Sequence, residues 1–486
     1  MRHPWLRCGA ATLWAWFLAA SGAAQDAAPA PPTFFQRVLA VDHLLEPEVD
    51  EAAESAAFTA LVSACRVALA GAATPAERVA VLNRLILVEP GLVYRSTQLW
   101  RDASLTAALM RHRCNCIAGA ALYAAVGAAL DLPIHMVVIP HHAFVRWDGQ
   151  GARINIETTA KGAEIADATY LYLWGHCDPV EVQALGWGDS LAEDQALAVL
   201  LQQAAGLRRE QAQPGVAAGL LERALALAPG RLDLALERLT CIAAIAGRRG
   251  EARAGIAALI AVDPPPTVMA AALLFQAREQ ALGRHYDAER ALLLRAYVIA
   301  PKTIESGVLA QMMSCHRSLR DHRAARQCAE LMVAMTPGES PELAGALYTL
   351  AMAQREDGLL DEAMVSISAG LAADPECWYL QVLRAGYMLS SGKREEGLAA
   401  FAQVQAPRDA TLMYDCMCTW FACMRGAHEE FSAGVDKVLA EDRSGYVLEW
   451  LDQDPDVRLF TAGDAGYAQV IARHRAAILE ESAPVP

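Results

Sequence analysis

Hydrophobic residues recur at helical spacing along most of the chain, and one segment interrupts that pattern. Residues 34–112 are typical of several short helices, and the uncharged stretch from Cys114 to Leu130 predicts a helix buried in a core. Three segments then alternate in polarity or are rich in β-branched residues, which predicts antiparallel strands: 134–139, 142–147 and 152–159. This order of elements predicts an α+β domain over residues 34–190.

From about Ala217 the helical pattern repeats, and prolines mark its period. Successive prolines stand 35 to 38 residues apart, at Pro229, Pro264, Pro301, Pro337 and Pro375. In GLLDEAMVSISAGLAADP, which begins at Gly358, small residues stand where two antiparallel helices touch and a proline follows the second helix. A period of about 34 residues is typical of paired-helix repeats, so the pattern predicts an all-α solenoid.

These residues resemble the tetratricopeptide repeat, with about six units between residues 195 and 410, and we assign residues 191–410 to that solenoid. Residues 411–486 are expected to form a helical C-terminal cap around EWLDQDPDVRLF, because a terminal repeat cannot leave its apolar face in water. The resemblance implies that the groove of the repeats binds a protein or peptide partner.

The first residues have the order of an export signal. Arg2 and Arg7 precede an uncharged stretch from Cys8 to Ala24 that ends in small residues, so residues 1–24 are expected to be a cleaved signal peptide. Residues 25–33 are then expected to form a disordered linker. The protein is expected to be periplasmic or secreted, without stable membrane insertion after cleavage, and an uncleaved membrane anchor is the alternative.

Composition narrows the classes of function. The net charge of −15 argues against nucleic-acid binding through a basic surface, and 54% hydrophobic residues argue against disorder. Of twelve cysteines, Cys416, Cys418 and Cys423 are close enough to suggest a copper site, but their spacing also fits the core stripe of a helix. We favour the core stripe and predict no metal and no cofactor.

Cys116 is the candidate nucleophile. It opens the predicted buried helix, where unpaired amides and the helix dipole stabilise a thiolate. Cys114 lies outside the helix and lacks that stabilisation. The ordinary alternative is that Cys116 is a small buried core residue.

The predicted hairpin supplies a histidine base for this thiolate and a carboxylate that orients the histidine. A turn at Asp148 to Gly151 pairs Trp147 with Ala152, and the same register sets His142 directly opposite Glu157. A carboxylate beside an imidazole fixes its tautomer and stabilises the imidazolium, so Cys116, His142 and Glu157 form a candidate triad.

Two alternatives to this triad follow from the same strands. Glu157 could pair with Arg146 or Arg153 instead of with His142. His141 is the rival base, but strand alternation directs it to the opposite face.

The segments NCIAGAALY, PHHAFVR and INIETTAKG resemble the transglutaminase-like superfamily, and more narrowly its bacterial branch with C-terminal tetratricopeptide repeats. The resemblance implies a papain-like fold and an acyl-transfer triad, with Cys116 as nucleophile, His142 as base and Glu157 as the acid that orients it. The chain is thus expected to be a thiol acyltransferase or hydrolase, such as a peptidase, amidase, deamidase or crosslinking enzyme. The alternative is a catalytically silent scaffold that binds peptides or proteins.

Overall fold

The computed structural model describes residues 32–480, except 45, 47, 96–103, 301, 339, 341, 408–410 and 443–444. The predicted signal peptide and most of the predicted linker lie outside the described residues, as does Pro301. Within them, an N-terminal α+β domain is followed by a long helical region, as the sequence predicts.

The N-terminal domain begins with short helices whose starts the sequence encodes. Thr33, Asp50, Thr74 and Ser104 each cap a helix by accepting a hydrogen bond from a backbone N–H in its first turn. The helices are α1 (Phe34–His43), α2 (Glu51–Leu69), α3 (Pro75–Leu82), which continues as a π-helix over Asn83–Val88, and α4 (Leu105–Met110).

A small antiparallel sheet covers one side of helix α5 (Cys116–Ala129). Its strands β3 (Ile134–Ile139), β4 (His142–Gly149) and β5 (Ala152–Ile156) lie in sequence order. Two further short strands, β1 (Val93–Tyr94) and β2 (Arg113–Cys114), pair in parallel just before α5.

The register of the β4–β5 hairpin differs by two residues from the prediction. Gly149 pairs with Ala152 and Trp147 pairs with Ile154, so the loop has two residues instead of four. Both loop residues have positive φ, 54° at Gln150 and 74° at Gly151, as a type I′ turn requires. His142 therefore does not lie directly opposite Glu157, and that prediction was wrong.

The hydrophobic core runs without a break across the predicted boundary at residues 190 and 191. One cluster of buried side chains extends from Phe34 to Ala252 and includes α7 (Glu193–Glu210) and α8 (Pro214–Leu227). Glu181, fully buried on α6 (Pro179–Leu185), accepts a hydrogen bond from the backbone N–H of Thr267 at 2.6 Å. The first repeats are thus packed onto the N-terminal domain.

The helical region consists of successive antiparallel hairpins. In the part of the chain that the structure describes, α7 and α8 form the first pair. The pairs that follow are α9 (Leu232–Ala243) with α10 (Arg249–Ala261), α11 (Pro266–Leu282) with α12 (Tyr286–Ile299), α13 (Lys302–Ser318) with α14 (His322–Met335), α15 (Leu343–Glu356) with α16 (Leu360–Ala373), α17 (Trp378–Ser390) with α18 (Arg394–Ala402), and α19 (Leu412–Arg425) with α20 (His428–Glu441). The last pair continues the repeats into the segment that the sequence assigned to the cap.

The C-terminal segment, residues 445–480, contacts helices from the middle of the array as well as the last hairpin. It contains α21 (Tyr446–Gln453), α22 (Pro455–Phe460) and α23 (Ala465–Glu480). Asp452 pairs with Arg284, and Gln453 donates a hydrogen bond to Ser318 at 2.7 Å. This segment fills part of the space between the first helices of successive hairpins.

Among the described residues, α2 is the one helix with the length and apolar composition of a membrane span. It packs against α3, α4 and α5, and Phe58, Val62 and Cys65 on its inner face belong to the domain core. This packing is that of a surface helix with one buried face, since most of its other residues are exposed or half-buried.

Candidate active site

Cys116 is the first residue of α5. The Asn115 side chain caps the helix and accepts a hydrogen bond from the Ala118 N–H at 2.9 Å. Helix geometry leaves the Cys116 and Ile117 N–H groups without an acceptor in their own helix. The half-buried Cys116 thiol therefore lies at a helix end with unused backbone donors.

Close packing fixes the position of α5 against the sheet. A Cβ atom on Gly119 would lie 3.0 Å from Thr158 Oγ1, and one on Gly127 would lie 2.7 Å from the Ile134 Cβ. Because only glycine allows this approach, the helix that carries Cys116 is held close to the strands that carry its partners.

His142 and Glu157 are in direct contact despite the shifted register. His142 begins β4, Glu157 follows β5, and the observed register makes them diagonal neighbours on one face. The distance between His142 Nε2 and Glu157 Oε2 is 2.7 Å. The two-residue shift preserves the face, since side chains alternate with a period of two.

Glu157 is fully buried, and four donors hold its carboxylate. His142 is the first donor. Thr159 donates two hydrogen bonds to Glu157 Oε1, from its backbone N–H at 2.8 Å and from Oγ1 at 2.5 Å. Tyr170 Oη donates the fourth to Glu157 Oε2 at 2.9 Å. Burial alone would raise the pKa of Glu157, but the hydrogen bonds from His142 and Thr159 outweigh it and hold that pKa below its ordinary value. The carboxylate is therefore ionised at neutral pH.

The His142 imidazole bridges Glu157 and Cys116. Burial lowers its pKa, but hydrogen bonds to the Cys116 thiol and to Glu157 outweigh burial and raise the pKa of His142 to about 9. At neutral pH His142 is thus a cation beside the Glu157 carboxylate and the Cys116 sulfur. Of the three residues that the sequence predicts as a triad, His142 and Glu157 are in direct contact, and Cys116 is close enough to His142 to raise its pKa.

The two alternatives to this arrangement are not observed. Arg146 is fully buried and donates to Asn155, Asp167 and the Gly188 carbonyl at 2.6 to 2.7 Å, and Arg153 pairs with Asp167, so neither arginine contacts Glu157. His141 lies exposed in the β3–β4 turn with φ of 61°.

Aromatic residues that the sequence reasoning did not single out surround the triad. The Trp174 ring meets His142 edge-on with centroids 5.5 Å apart, and Tyr170 stacks on Phe144 at 3.7 Å. Both Tyr170 and Trp174 lie on a π-helix, Thr169–Trp174, whose sequence TYLYLW is unusually rich in aromatic residues for this chain. That aromatic run is the feature of the sequence from which Tyr170 and Trp174 could have been identified.

An exposed apolar rim lies beside the triad. Tyr94 is close enough to Cys116 and Glu157 for their charges to act on its hydroxyl, and it is 43% exposed. Trp174 is 44% exposed, and Leu173 next to it is 65% exposed. The rim offers apolar surface to a substrate that reaches the Cys116 thiol.

Cys114 lies beside Cys116 but is buried, and burial raises the pKa of its thiol to about 12. All eleven cysteines in the described part of the chain are free thiols. Cys416 and Cys423 are buried along α19, and Cys418 is half-buried there. Within the described residues, no group of three or more His, Cys, Asp or Glu side chains is arranged to hold a metal ion.

Comparison with protein families matches residues 52–225 to the Transglutaminase-like superfamily. The match contains all three triad residues and extends through most of the first helical hairpin. Comparison with curated proteins gives no match.

Solved structures similar to the chain include helical repeat proteins. The MamA protein is 17% identical with a TM-score of 0.27, covering 37% of this chain and 92% of MamA. The TPR domain of P58(IPK) is 11% identical with a TM-score of 0.19, covering 60% of this chain and 93% of that domain. Menin is 12% identical with a TM-score of 0.29, covering 92% of this chain and 93% of menin.

Proposed function

We propose that the protein is a cysteine acyl-transfer enzyme that uses Cys116 as nucleophile, His142 as general acid and base, and Glu157 to orient His142. The 2.7 Å contact between Glu157 and His142, with Cys116 close enough to act on the pKa of His142, carries this proposal. The transglutaminase-like match over residues 52–225 supports it.

The reaction begins with attack of the Cys116 thiolate on an amide carbonyl. A carbon–sulfur bond forms, and the Cys116 and Ile117 amides at the start of α5 are suited to stabilise the negative charge on the carbonyl oxygen. The His142 imidazolium then gives its proton to the leaving nitrogen as the carbon–nitrogen bond breaks, which leaves a thioester and neutral His142.

Water or a second amine completes the reaction. Neutral His142 takes a proton from that nucleophile as it attacks the thioester, and the carbon–sulfur bond breaks to regenerate the thiolate–imidazolium pair. Water gives hydrolysis or deamidation, and an amine gives transfer or crosslinking. Glu157 stays ionised throughout because Thr159 and Tyr170 also donate to it.

We propose in addition that the helical hairpins bind the protein or peptide that carries the amide. The C-terminal segment already contacts Arg284 on one hairpin and Ser318 on the next. A partner that enters this part of the groove must therefore displace that segment or bind beside it.

A thiol-directed reagent tests the proposal. Iodoacetamide should modify Cys116 at least about tenfold faster than Cys418. Cys418 is also half-buried, but no histidine lies on its helix α19, Leu412–Arg425. Peptide mass spectrometry separates the two sites. His142→Ala should abolish the difference, and equal rates at both cysteines in the unaltered chain would favour the silent scaffold instead.

We also propose that the protein is exported, with cleavage near Ala23 or Ala24, because the basic start, apolar stretch and small residues occur in the order of a signal peptide. Intact-mass measurement of the protein purified from its native cells tests this. A membrane-bound species that retains residues 1–20 would instead support an uncleaved anchor.

A further inference from the structure

A cavity of about 410 Å³ lies among the helical hairpins, formed by different residues from the Cys116 site. Its walls come from α11, α12, α13, α15 and α19, and the C-terminal segment closes it through α21. The volume is within the range of about 300–1,000 Å³ that small-molecule sites occupy.

Three acceptor oxygens in the wall have no hydrogen-bond partner among the described residues. They are Glu289 Oε2, Gln311 Oε1 and Glu449 Oε1, each inaccessible to bulk solvent. Glu289 is only 4% exposed. Buried acceptors of this kind are uncommon in folded proteins, and three around one cavity indicate a missing donor.

The charge of the wall favours a cation. Arg317 is neutralised by Glu356, with Nε and Oε2 2.7 Å apart, and Arg278 lies over the Tyr446 ring at 5.6 Å. Arg278 lowers the pKa of both Glu289 and Glu449, so one arginine acts on the two carboxyl groups of the wall. Burial, followed by repulsion from Glu449, raises the pKa of Glu289.

The remaining wall is apolar and adaptable. It includes four methionines, Met313, Met352, Met413 and Met417, and the rings of Tyr348 and Trp450 in addition to that of Tyr446. Thioether side chains adapt to ligands of varied shape, and aromatic rings favour a nearby organic cation. The site therefore suits a ligand with both an apolar body and a positive group.

We propose that this cavity binds a ligand with a primary ammonium group on an alkyl chain, the ammonium lying among Glu289, Gln311 and Glu449 and the chain packing on the methionines. A primary ammonium has three N–H donors and no acceptor, which matches three unpaired oxygens. The alkylammonium belongs either to a small free amine or to a lysine side chain of a bound partner.

Protonation of Glu289 gives the proposal a pH dependence. Burial, together with repulsion from Glu449 on α21, raises the pKa of Glu289 to about 8, while Cys315 on α13 and Arg278 on α11 oppose the increase. Arg475, Arg249 and Asp442 also act on Glu449, whose pKa burial raises. An alkylammonium ion should thus bind more tightly as pH rises from 6 to 9, and binding at pH 7 should release protons.

Calorimetry on the full chain tests the site with hexylammonium and its neutral counterpart 1-hexanol. At pH 8.5 hexylammonium should bind about 10- to 100-fold more tightly than 1-hexanol, because a charge-assisted hydrogen bond in a buried site changes affinity by about that factor. Glu289→Gln should remove that preference and leave 1-hexanol binding unchanged. The matched control Glu362→Gln changes an exposed carboxylate on α16 and should have no effect.

Gln311→Met supplies a second variant that keeps the charge and removes one oxygen, and it should weaken hexylammonium binding by about 3- to 10-fold.

A blocked peptide with one central lysine distinguishes the two sources of the ammonium group. Competition of this peptide with hexylammonium assigns a lysine side chain, and binding of hexylammonium alone assigns a small amine. Equal binding of hexylammonium and 1-hexanol, or no effect of Glu289→Gln, would overturn the proposal.

Discussion

At the scale of single residues, Glu157 is the most constrained group of the candidate site. Four hydrogen bonds fix its carboxylate, and one of them sets the orientation of His142. Its charge stabilises the His142 imidazolium. The contributions of shape and charge can be separated, because glutamine has the same size as glutamate.

Glu157→Gln should keep the geometry of the site and lower acyl transfer by about 10²- to 10⁴-fold. The burst of p-nitrophenolate from p-nitrophenyl acetate measures the rate, with Cys116→Ala as the blank. Asp148→Asn is the matched control, because Asp148 lies at the far end of β4 and bonds to Ser190 at 2.7 Å. If both variants lower the burst equally, Glu157 has no specific role.

The pKa of His142 predicts how stability depends on pH. Because the pKa rises from 6.5 to about 9 on folding, its contribution is complete below pH 6.5 and is lost as pH rises towards 9. The difference in unfolding free energy between the unaltered chain and His142→Gln should therefore shrink by up to about 3 kcal/mol across this range. Urea denaturation at pH 6, 7.5 and 9.5 measures it. A constant difference would contradict the charged pair.

The sequence predicts which residues meet at this site better than it predicts how they meet. Alternation along a strand determines the face, so His142 and Glu157 were expected on one side of the sheet, where they are found. The register depends on the turn, and Gln150 adopts a positive φ that few residues other than glycine, asparagine and aspartate favour. Thr159 and Tyr170 donate hydrogen bonds to Glu157. The position of Tyr170 depends on the path of the loop after residue 160, which no local sequence pattern specifies.

At the scale of elements, glycines in the hairpins have two different roles. Gly358 ends a helix with φ of 84°, and a Cβ there would meet nothing within 4 Å. Gly386 lies inside α17, where a Cβ would come within 2.3 Å of the Trp420 ring. The first glycine permits a backbone conformation, and the second permits two helices to touch.

Gly358→Ala should therefore cost about 1 kcal/mol of stability, from backbone strain alone, and Gly358→Val should cost more because it is β-branched. Gly386→Ala should cost about 1–3 kcal/mol, since the helix must move away from Trp420. Thermal denaturation compares the variants. Trp420→Phe should partly rescue Gly386→Ala and leave Gly358→Ala unchanged, and rescue of both would contradict this division.

The repeat pattern in the sequence ends before the hairpins do. Proline spacing and small residues identify the helix pairs as far as α18. In α19 the large side chains Trp420 and Phe421 contact Gly386 on α17 and Phe401 on α18, while the contact within the last pair sets Gly434 of α20 against Thr419. Packing of this kind is specified by volume, which leaves no fixed spacing in a single sequence.

At the scale of the whole molecule, the C-terminal segment stabilises several hairpins together. Val447, Leu448, Leu451 and Val457 are buried in the same cluster as Leu383 on α17. A chain that ends at Glu441 should expose this surface, bind the dye ANS strongly and lose stability in its second half. Alkylation of Cys116 should be unaffected, since the N-terminal core ends near Ala252. Loss of Cys116 reactivity would contradict this separation.

The same segment also changes how the chain must fold and how it resists being pulled apart. Arg475 donates a hydrogen bond to the Leu282 carbonyl across 193 residues of chain, at 3.3 Å. A linear array has mostly local contacts and can lose its last repeat first, but here the end of the chain is held against the middle. Its final folding step must close a long loop, so it should be slower than the pairing of neighbouring hairpins. A force applied at the C-terminus would first meet the contacts at Leu282, and the last hairpin would be released only after they break.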